Sequence, residues 1–381
     1  MLDFVKEGNL PLWIWISYFI IVSGTFILGV RYVNNSGYIN KTHNGKALGF
    51  VLFFTVFTLF YCLNSDFFRY REFAYGEYLF DMAYSDAKDL EAEHYIALLC
   101  NGNYELFRII IWGGAYLVFF LTCKVLKAPT YLSLLIFFLM FNDVASYGRV
   151  TLAMSVFLGG LSLIIEKKWY IIGLLIIASS VFFHHSMVVA IAVIPIIFLP
   201  ETKNRMAQFL LYIAVFVIMY LLITRLMGQT DILQDDEDMR YFGRKMSSSQ
   251  SKIEQGDYNK NKGLLGMVND LFSYLLFYVP VIALYFKVNK KTARSIVPQS
   301  IFRLYKVIIA IVLLATGFLI IYQSFNVLFY RVLYMSMMPI SLLLAYLLSQ
   351  KVIKKEFIYM ILGIGYIHFL GLYLSNIFAL L

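Results

Sequence analysis

The chain is 381 residues long, and 61% of them are hydrophobic while only 14% are charged. Its mean hydropathy is +0.74, and soluble domains carry about 25% charged residues. These values exclude an ordinary soluble domain and predict an all-α, polytopic integral membrane protein. The net charge of +9 is ordinary for a membrane protein with basic cytoplasmic loops, so it does not indicate nucleic-acid binding.

Apolar stretches along the chain predict about twelve membrane spans within a single transmembrane domain, residues 1–381. Several central spans are shorter than the ~20 residues of a straight crossing, so we expect tilted, broken or re-entrant segments around a cavity. Two long polar segments, 64–104 and 225–262, are predicted to be external. The predicted spans are 11–30, 47–63, 105–123, 130–146, 150–165, 169–183, 186–199, 207–224, 263–286, 307–325, 328–348 and 357–378.

Basic residues in alternate short loops predict the orientation of the chain. Eighteen of the 32 Lys and Arg fall in one set of loops, which is therefore expected to be cytoplasmic, with both termini outside. That inner set holds four arginines and fourteen lysines, whereas the outer set holds eight arginines and six lysines. Because the arginine fork grips phosphate and carboxylate with defined geometry, the outer face is typical of an anion site. A helix-surface ion pair between Glu105 and Arg108 is a structural alternative for one of these arginines.

The stretch from Asn142 to Val189 contains polar groups beside short apolar segments. Arg149 and the pair His184–His185 each stand immediately before an apolar run. An ionisable group at such a place favours a functional site, because burying it is expensive. The alternative is an arginine and two histidines that lie in the headgroup layer.

The outer segments supply further candidates. Asp66, Arg69 and Arg71 follow the second span within a stretch rich in tyrosine and phenylalanine. Aromatic rings beside acids suit a sugar-binding surface, and they suit an interfacial helix equally well. The loop 225–262 carries Arg240 and Arg244. The cysteines Cys62, Cys100 and Cys123 are too few for a disulfide framework, so free thiols are expected.

Three short motifs resemble the EpsG-like family of Wzy-type polysaccharide polymerases. Arg149–Ala153 (RVTLA) with the corner Glu166–Lys168 is similar to the Arg-Gln-x-x-Ala run of the family and its basic corner. Ala178–Ser186 (ASSVFFHHS) resembles the Ala…Phe-His-x-Ser motif, which aligns His184 with the family histidine. Tyr330, Arg331 and Tyr334 resemble the late arginine–tyrosine segment. Arg240–Met246 is a weaker match, and Val150 replaces the usual glutamine.

The resemblance implies a GT-C-like membrane glycosyltransferase. Such an enzyme polymerises polyprenyl-diphosphate-linked oligosaccharide repeat units into O-antigen, capsule or exopolysaccharide. Its active site is expected on the outer face of the bacterial cytoplasmic membrane. The expected partners are the lipid-linked donor and acceptor, the lipid bilayer, a chain-length regulator and a flippase.

The resemblance and the chemistry together assign roles to the candidates. An inverting displacement at C1 needs cations for the leaving diphosphate and a group that orients or deprotonates the attacking hydroxyl. His184, Arg149 and Arg331 are the predicted catalytic residues, and a packed helix cap is the alternative for His184. No metal or cofactor is expected. The predicted substrate-binding residues are Asp66, Arg69, Arg71, His185, Arg240, Arg244 and Tyr334.

Three other functions are compatible with a cationic membrane cavity. A lipid-linked oligosaccharide flippase or transporter should show two related halves, and the sequence shows no internal repeat of Arg149 or His184. A membrane O-acyltransferase would take its thioester donor from the cytoplasmic side, opposite the predicted position of His184. An O-antigen ligase acts on the same class of substrate, and the sequence leaves it open.

Overall fold

The computed structural model of the chain describes residues 12–35, 44–60, 92–141, 148–184, 187–198, 264–288, 296–322 and 332–380, with a few positions between 207 and 221. All regular secondary structure in these ranges is helical, as the composition predicts. The predicted external loop 225–262, which carries Arg240 and Arg244, lies outside them. Most of the segment 64–104 also lies outside them.

Most of the described helices coincide with predicted spans, and they are numbered here in chain order. The first four are α1 (Leu12–Asn34), α2 (Asn44–Phe60), α3 (Ala92–Leu99) and α4 (Tyr104–Val125), with a π-helical turn at Ile109–Gly113 in α4. The central four are α5 (Thr130–Met140), α6 (Gly148–Lys167), α7 (Tyr170–Phe183) and α8 (Met187–Ala192), which a 3₁₀ turn at Ile194–Phe198 follows. The last four are α9 (Leu264–Val288), α10 (Gln299–Tyr322), α11 (Val332–Ser349) and α12 (Lys355–Leu380).

Membrane-spanning length is reached by several of these helices. Among the described residues, six helices are long and apolar enough to cross a bilayer. Four shorter apolar helices, including α5 and α7, accompany them. The chain is therefore a multi-pass membrane protein with both full-length and short apolar helices.

Helices α5 and α11 form the centre of the bundle. Every residue of Met337–Ser349 is buried, and Tyr131 is the one residue of α5 that is partly exposed. The two helices pack against each other, while α1, α2 and α12 also cover α5. A helix that is apolar on all sides is stable only when protein or lipid surrounds it. Here protein surrounds both, so the outer helices meet the lipid.

Two polar contacts connect helix ends at the predicted cytoplasmic side. The Lys127 ammonium lies 3.2 Å from the Glu166 carboxylate, which joins the end of α4 to the end of α6. The Lys355 ammonium donates to the Asn34 carbonyl at 2.6 Å, which joins the start of α12 to the end of α1. These corners therefore share one side, as the alternation of basic loops predicts. The Lys127 side chain is 78% exposed, so this ion pair contributes at most about 1 kcal/mol.

Three predicted element boundaries differ from the structure. Helix α10 begins at Gln299, so assigning Arg303 and Lys306 to a loop was wrong. Hydropathy treats a lysine as a loop residue, but Lys306 is buried by the packing of α10. The predicted span 186–199 divides into α8 and the 3₁₀ turn. The predicted external segment 64–104 contains the helix α3 near its end.

Two of the cysteines are free thiols, as predicted. Cys123 is buried within α4, and Cys100 is buried in the turn between α3 and α4. Burial raises the pKa of the Cys100 thiol, which keeps it protonated and slow to react at neutral pH. Cys62 lies outside the described residues.

Candidate active site

The packing of α6 against α7 brings two of the predicted catalytic residues to the same end of the bundle. A Cβ atom on Gly160 would lie 2.6 Å from the Gly173 carbonyl oxygen, and one on Gly173 would lie 2.8 Å from the Gly160 carbonyl oxygen. Only glycine permits so close an approach of two helix backbones. Arg149 precedes Gly160 by eleven residues, and His184 follows Gly173 by eleven. Because the two helices are antiparallel, both residues lie about 16 Å from the crossing on the same side.

This crossing predicts a stability effect for Gly160→Ala. The added methyl group would also lie 3.0 Å from the backbone nitrogen of Ile177, so neither nearby backbone atom can yield unless the helices separate. Overpacking of this kind costs about 1–3 kcal/mol, while the helix propensity of alanine offsets about 1 kcal/mol. We expect a lower midpoint of thermal unfolding for the purified variant.

Gly24→Ala is the matched control for this measurement. Gly24 lies within α1, and a Cβ atom there would meet nothing within 4 Å. Only the propensity effect acts at that position, so the midpoint should stay the same or rise. Equal midpoints for the two variants would show that the close approach of α6 and α7 does not constrain the fold.

Arg149 lies in the first turn of α6 and is partly exposed. The residue before it, Gly148, is buried against the indole of Trp112 from α4. Helix α6 also contacts α11, whose first turn carries Tyr334. The backbone that carries the Arg149 side chain is therefore held by the contact between Gly148 and Trp112 of α4.

His184 lies at the break between α7 and α8. Its backbone is extended, with φ −157° and ψ 115°, and its N–H donates to the Ser180 carbonyl at 3.1 Å. Its own carbonyl accepts from the Met187 N–H at 3.0 Å. The residue is 5% exposed. The backbone of His184 thus caps α7, and the role of its imidazole in catalysis stays a prediction.

Tyr334 belongs to a run of aromatic contacts that joins the start of α11, the middle of α9 and the end of α5. Its ring centroid lies 6.2 Å from that of Phe277 in α9. The Phe277 ring centroid lies 5.3 Å from that of Phe141, the residue that follows α5. Arg149 follows Phe141 by eight residues in the sequence. Arg331 immediately precedes α11.

The structure adds a buried arginine whose surroundings the sequence analysis missed. Arg108 in α4 is 1% exposed and donates to the Tyr104 hydroxyl at 2.9 Å and to the Thr58 carbonyl of α2. Its guanidinium carbon lies 4.6 Å from the Trp112 ring centroid. A helix-surface ion pair with Glu105 would leave the Arg108 side chain exposed, and that prediction of exposure was wrong. The spacing of Tyr104, Arg108 and Trp112 at i, i+4 and i+8 was the available signal for stacking on one helix face.

Several predicted site residues lie outside the described residues, and their roles stay predictions. The described residues hold no group of three or more His, Cys, Asp or Glu side chains that could bind a metal ion. The predicted site residues outside the described ranges are Asp66, Arg69, Arg71, His185, Arg240, Arg244 and Arg331.

Comparison with known proteins gives one decisive result. The sequence model of the EpsG family matches residues 94–379, which is three quarters of the chain. The chain belongs to the EpsG family. The match includes Arg149, His184 and Tyr334, which confirms the resemblance stated from these motifs, while Asp66, Arg69 and Arg71 precede it. Neither the curated proteins nor the solved structures give a significant match to this EpsG-family chain.

Proposed function

We propose that this EpsG-family protein is a membrane glycosyltransferase that polymerises polyprenyl-diphosphate-linked oligosaccharide repeat units on the outer face of the cytoplasmic membrane. Family membership and the set of apolar helices support a membrane protein of polysaccharide synthesis. The observation that carries the proposal is that Arg149 and His184 lie at the same end of the α6–α7 pair, which the crossing at Gly160 and Gly173 fixes. A cation and an imidazole at one end of a helix pair match the two needs of glycosyl transfer.

The proposed reaction is a metal-independent inverting displacement. The hydroxyl oxygen of one lipid-linked unit attacks C1 of the sugar on the growing chain, and the bond from C1 to the diphosphate oxygen breaks. Arg149 and Arg331 hold the diphosphate as its negative charge develops. His184 orients the hydroxyl and accepts its proton, a step that a neutral imidazole can perform near neutral pH.

The surroundings of Arg149 favour binding of an anion. The backbone before it is held against Trp112, so the helix start that carries the guanidinium is fixed before an anion binds. The start of α6 also carries the positive end of the helix dipole, which favours a phosphate oxygen nearby.

Cells that lack the protein provide the direct test. We expect surface glycan that consists of single repeat units on the available acceptor, because units are still delivered but not joined. Repeat units stranded on the inner face would instead indicate a flippase or transporter. Long polymer that accumulates on its lipid carrier without transfer to the acceptor would indicate a ligase. The measurement is the length profile of surface and lipid-linked glycan.

The outer position of the site predicts the accessibility of two matched cysteine variants. Asn101 and Lys168 are both exposed, and both have positive φ angles, 49° and 59°, so their substitution strains the backbone similarly. The predicted topology places Asn101 outside and Lys168 inside. In a Cys62→Ser background, Asn101→Cys should react with an impermeant thiol reagent added to cells, and Lys168→Cys should react only after lysis. The reverse pattern would place Arg149 in the cytoplasm and contradict the proposed function.

A further inference from the structure

The buried contacts of Arg108 join α2 to α4 beside the proposed site. Thr58 lies in the last turn of α2, where carbonyl groups have no partner within their own helix. The Arg108 guanidinium donates to this carbonyl, and it also places a positive charge at the negative end of the α2 dipole. Its second donor group bonds the Tyr104 hydroxyl at 2.9 Å. Arg108 is therefore held from two sides and cannot reach a substrate, since its side chain is enclosed.

The Trp112 indole connects Arg108 to the start of α6. One face of the ring receives the guanidinium, whose central carbon lies 4.6 Å from the ring centroid. The ring also lies so close to Gly148 that a Cβ atom there would overlap it. Trp112 is 1% exposed and belongs to the π-helical turn Ile109–Gly113. Such turns in α-helices are frequent at functional sites.

We propose that Arg108 is a positioning residue that sets the place of Arg149 through the Trp112 ring. The guanidinium fixes the indole, and the indole fixes the backbone at Gly148, which is bonded directly to Arg149. Glycine is required at position 148 because the ring occupies the space of a side chain. The inference rests on the proposed function, in which Arg149 binds the diphosphate.

Gly148→Ala tests this connection without altering Arg108, Trp112 or Arg149. The methyl group must displace the indole or the first turn of α6, so Arg149 shifts. A misplacement of about 1 Å can reduce a reaction rate by about 10²-fold, so we expect a strongly shortened polymer at an unchanged protein level. Gly114→Ala is the matched control, because its methyl group would make an ordinary contact at 3.8 Å with Leu152 in the same helix pair. This control should produce full-length polymer.

A cysteine at position 149 reports the geometry independently of activity. In the Cys62→Ser background, Arg149→Cys should react with an impermeant thiol reagent at a measurable rate. Adding Gly148→Ala or Trp112→Leu should change that rate. Adding Gly114→Ala should leave it unchanged. Cys100 and Cys123 are buried and contribute little to labelling. Equal labelling rates in all four backgrounds would overturn the inference. If the proposed function fails, the polymer profiles lose their meaning, whereas the labelling rates still decide whether Trp112 positions residue 149.

A double substitution distinguishes positioning from a general structural role. If Trp112 acts through Arg149, then Trp112→Leu should shorten the polymer in the native chain and add little loss in an Arg149→Lys background. Independent, multiplicative losses in the two backgrounds would overturn the proposal. Arg108→Lys should behave like Trp112→Leu. A lysine ammonium is a point charge, and it cannot donate to the Tyr104 hydroxyl and the Thr58 carbonyl while also stacking on the indole.

Discussion

His184→Ala is expected to abolish long polymer while the protein accumulates to its normal level. A general base contributes about 10²–10⁴-fold to a rate, which is enough to change the length distribution of the product. The backbone N–H and carbonyl of His184 make the contacts to Ser180 and Met187, and alanine retains both. The helix break should therefore survive, and the loss should arise from the missing imidazole. The measurement is the chain-length profile of surface glycan.

His185→Ala serves as the neighbouring comparison. The resemblance aligns His184 with the family histidine and His185 with a variable position, so the second variant should be milder. If both variants make full-length polymer, the histidines are structural and the proposed base is wrong. If His184→Ala fails to accumulate, His184→Gln retains a hydrogen-bonding side chain of similar length, and it should accumulate without making long polymer.

Arg149→Lys and Arg331→Lys should each fail despite the retained charge. A lysine is a point charge and cannot reproduce the bidentate contact of guanidinium with two phosphate oxygens. Losing a contact that strengthens as the diphosphate leaves should cost about 2.7–4 kcal/mol, or about 10²–10³ in rate. Single repeat units should still appear on the cell surface. The rate is measured as incorporation of labelled repeat units by isolated membranes.

Arg31→Lys is the matched control for the two arginine variants. Arg31 lies in the last turn of α1 at the predicted cytoplasmic end, where a point charge is sufficient. This variant should polymerise normally. Complete absence of delivered repeat units in a stably expressed Arg149→Lys variant would contradict polymerisation and favour transport. Normal polymer from Arg149→Lys would remove Arg149 from the proposed site.

The sequence predicted the helical class, the family and the approximate course of most helices. Apolar runs are long in a membrane protein, so the existence of α4, α6 and α12 follows from composition alone. The sequence also predicted that Arg149 and His184 lie at the same end of the bundle, because the short Glu166–Lys168 corner makes α6 and α7 antiparallel. The two glycines that set the distance between these helices carry no pattern that a single sequence displays.

Burial of charged residues was the part that the sequence could not predict. Hydropathy assigns any lysine or arginine to a loop or surface, but Lys306 and Arg108 are enclosed by neighbouring helices. Whether a charge is enclosed depends on partners distant in sequence, such as the Thr58 carbonyl for Arg108. The same reason explains why the link from Arg108 to Arg149 emerges only from the structure.

The position of α5 has a consequence for how the protein is made. Its helix has eleven residues and is about 16 Å long, which is roughly half of the ~30 Å hydrocarbon layer. It packs against α11 and α12, which the ribosome synthesises some 200 residues later. Until they emerge, α5 is too short to cross the lipid alone, and it has only its earlier neighbours α1, α2 and α4. Nascent chains that end before α11 should therefore remain with the insertion machinery or be degraded, so completion of synthesis and completion of the bundle coincide.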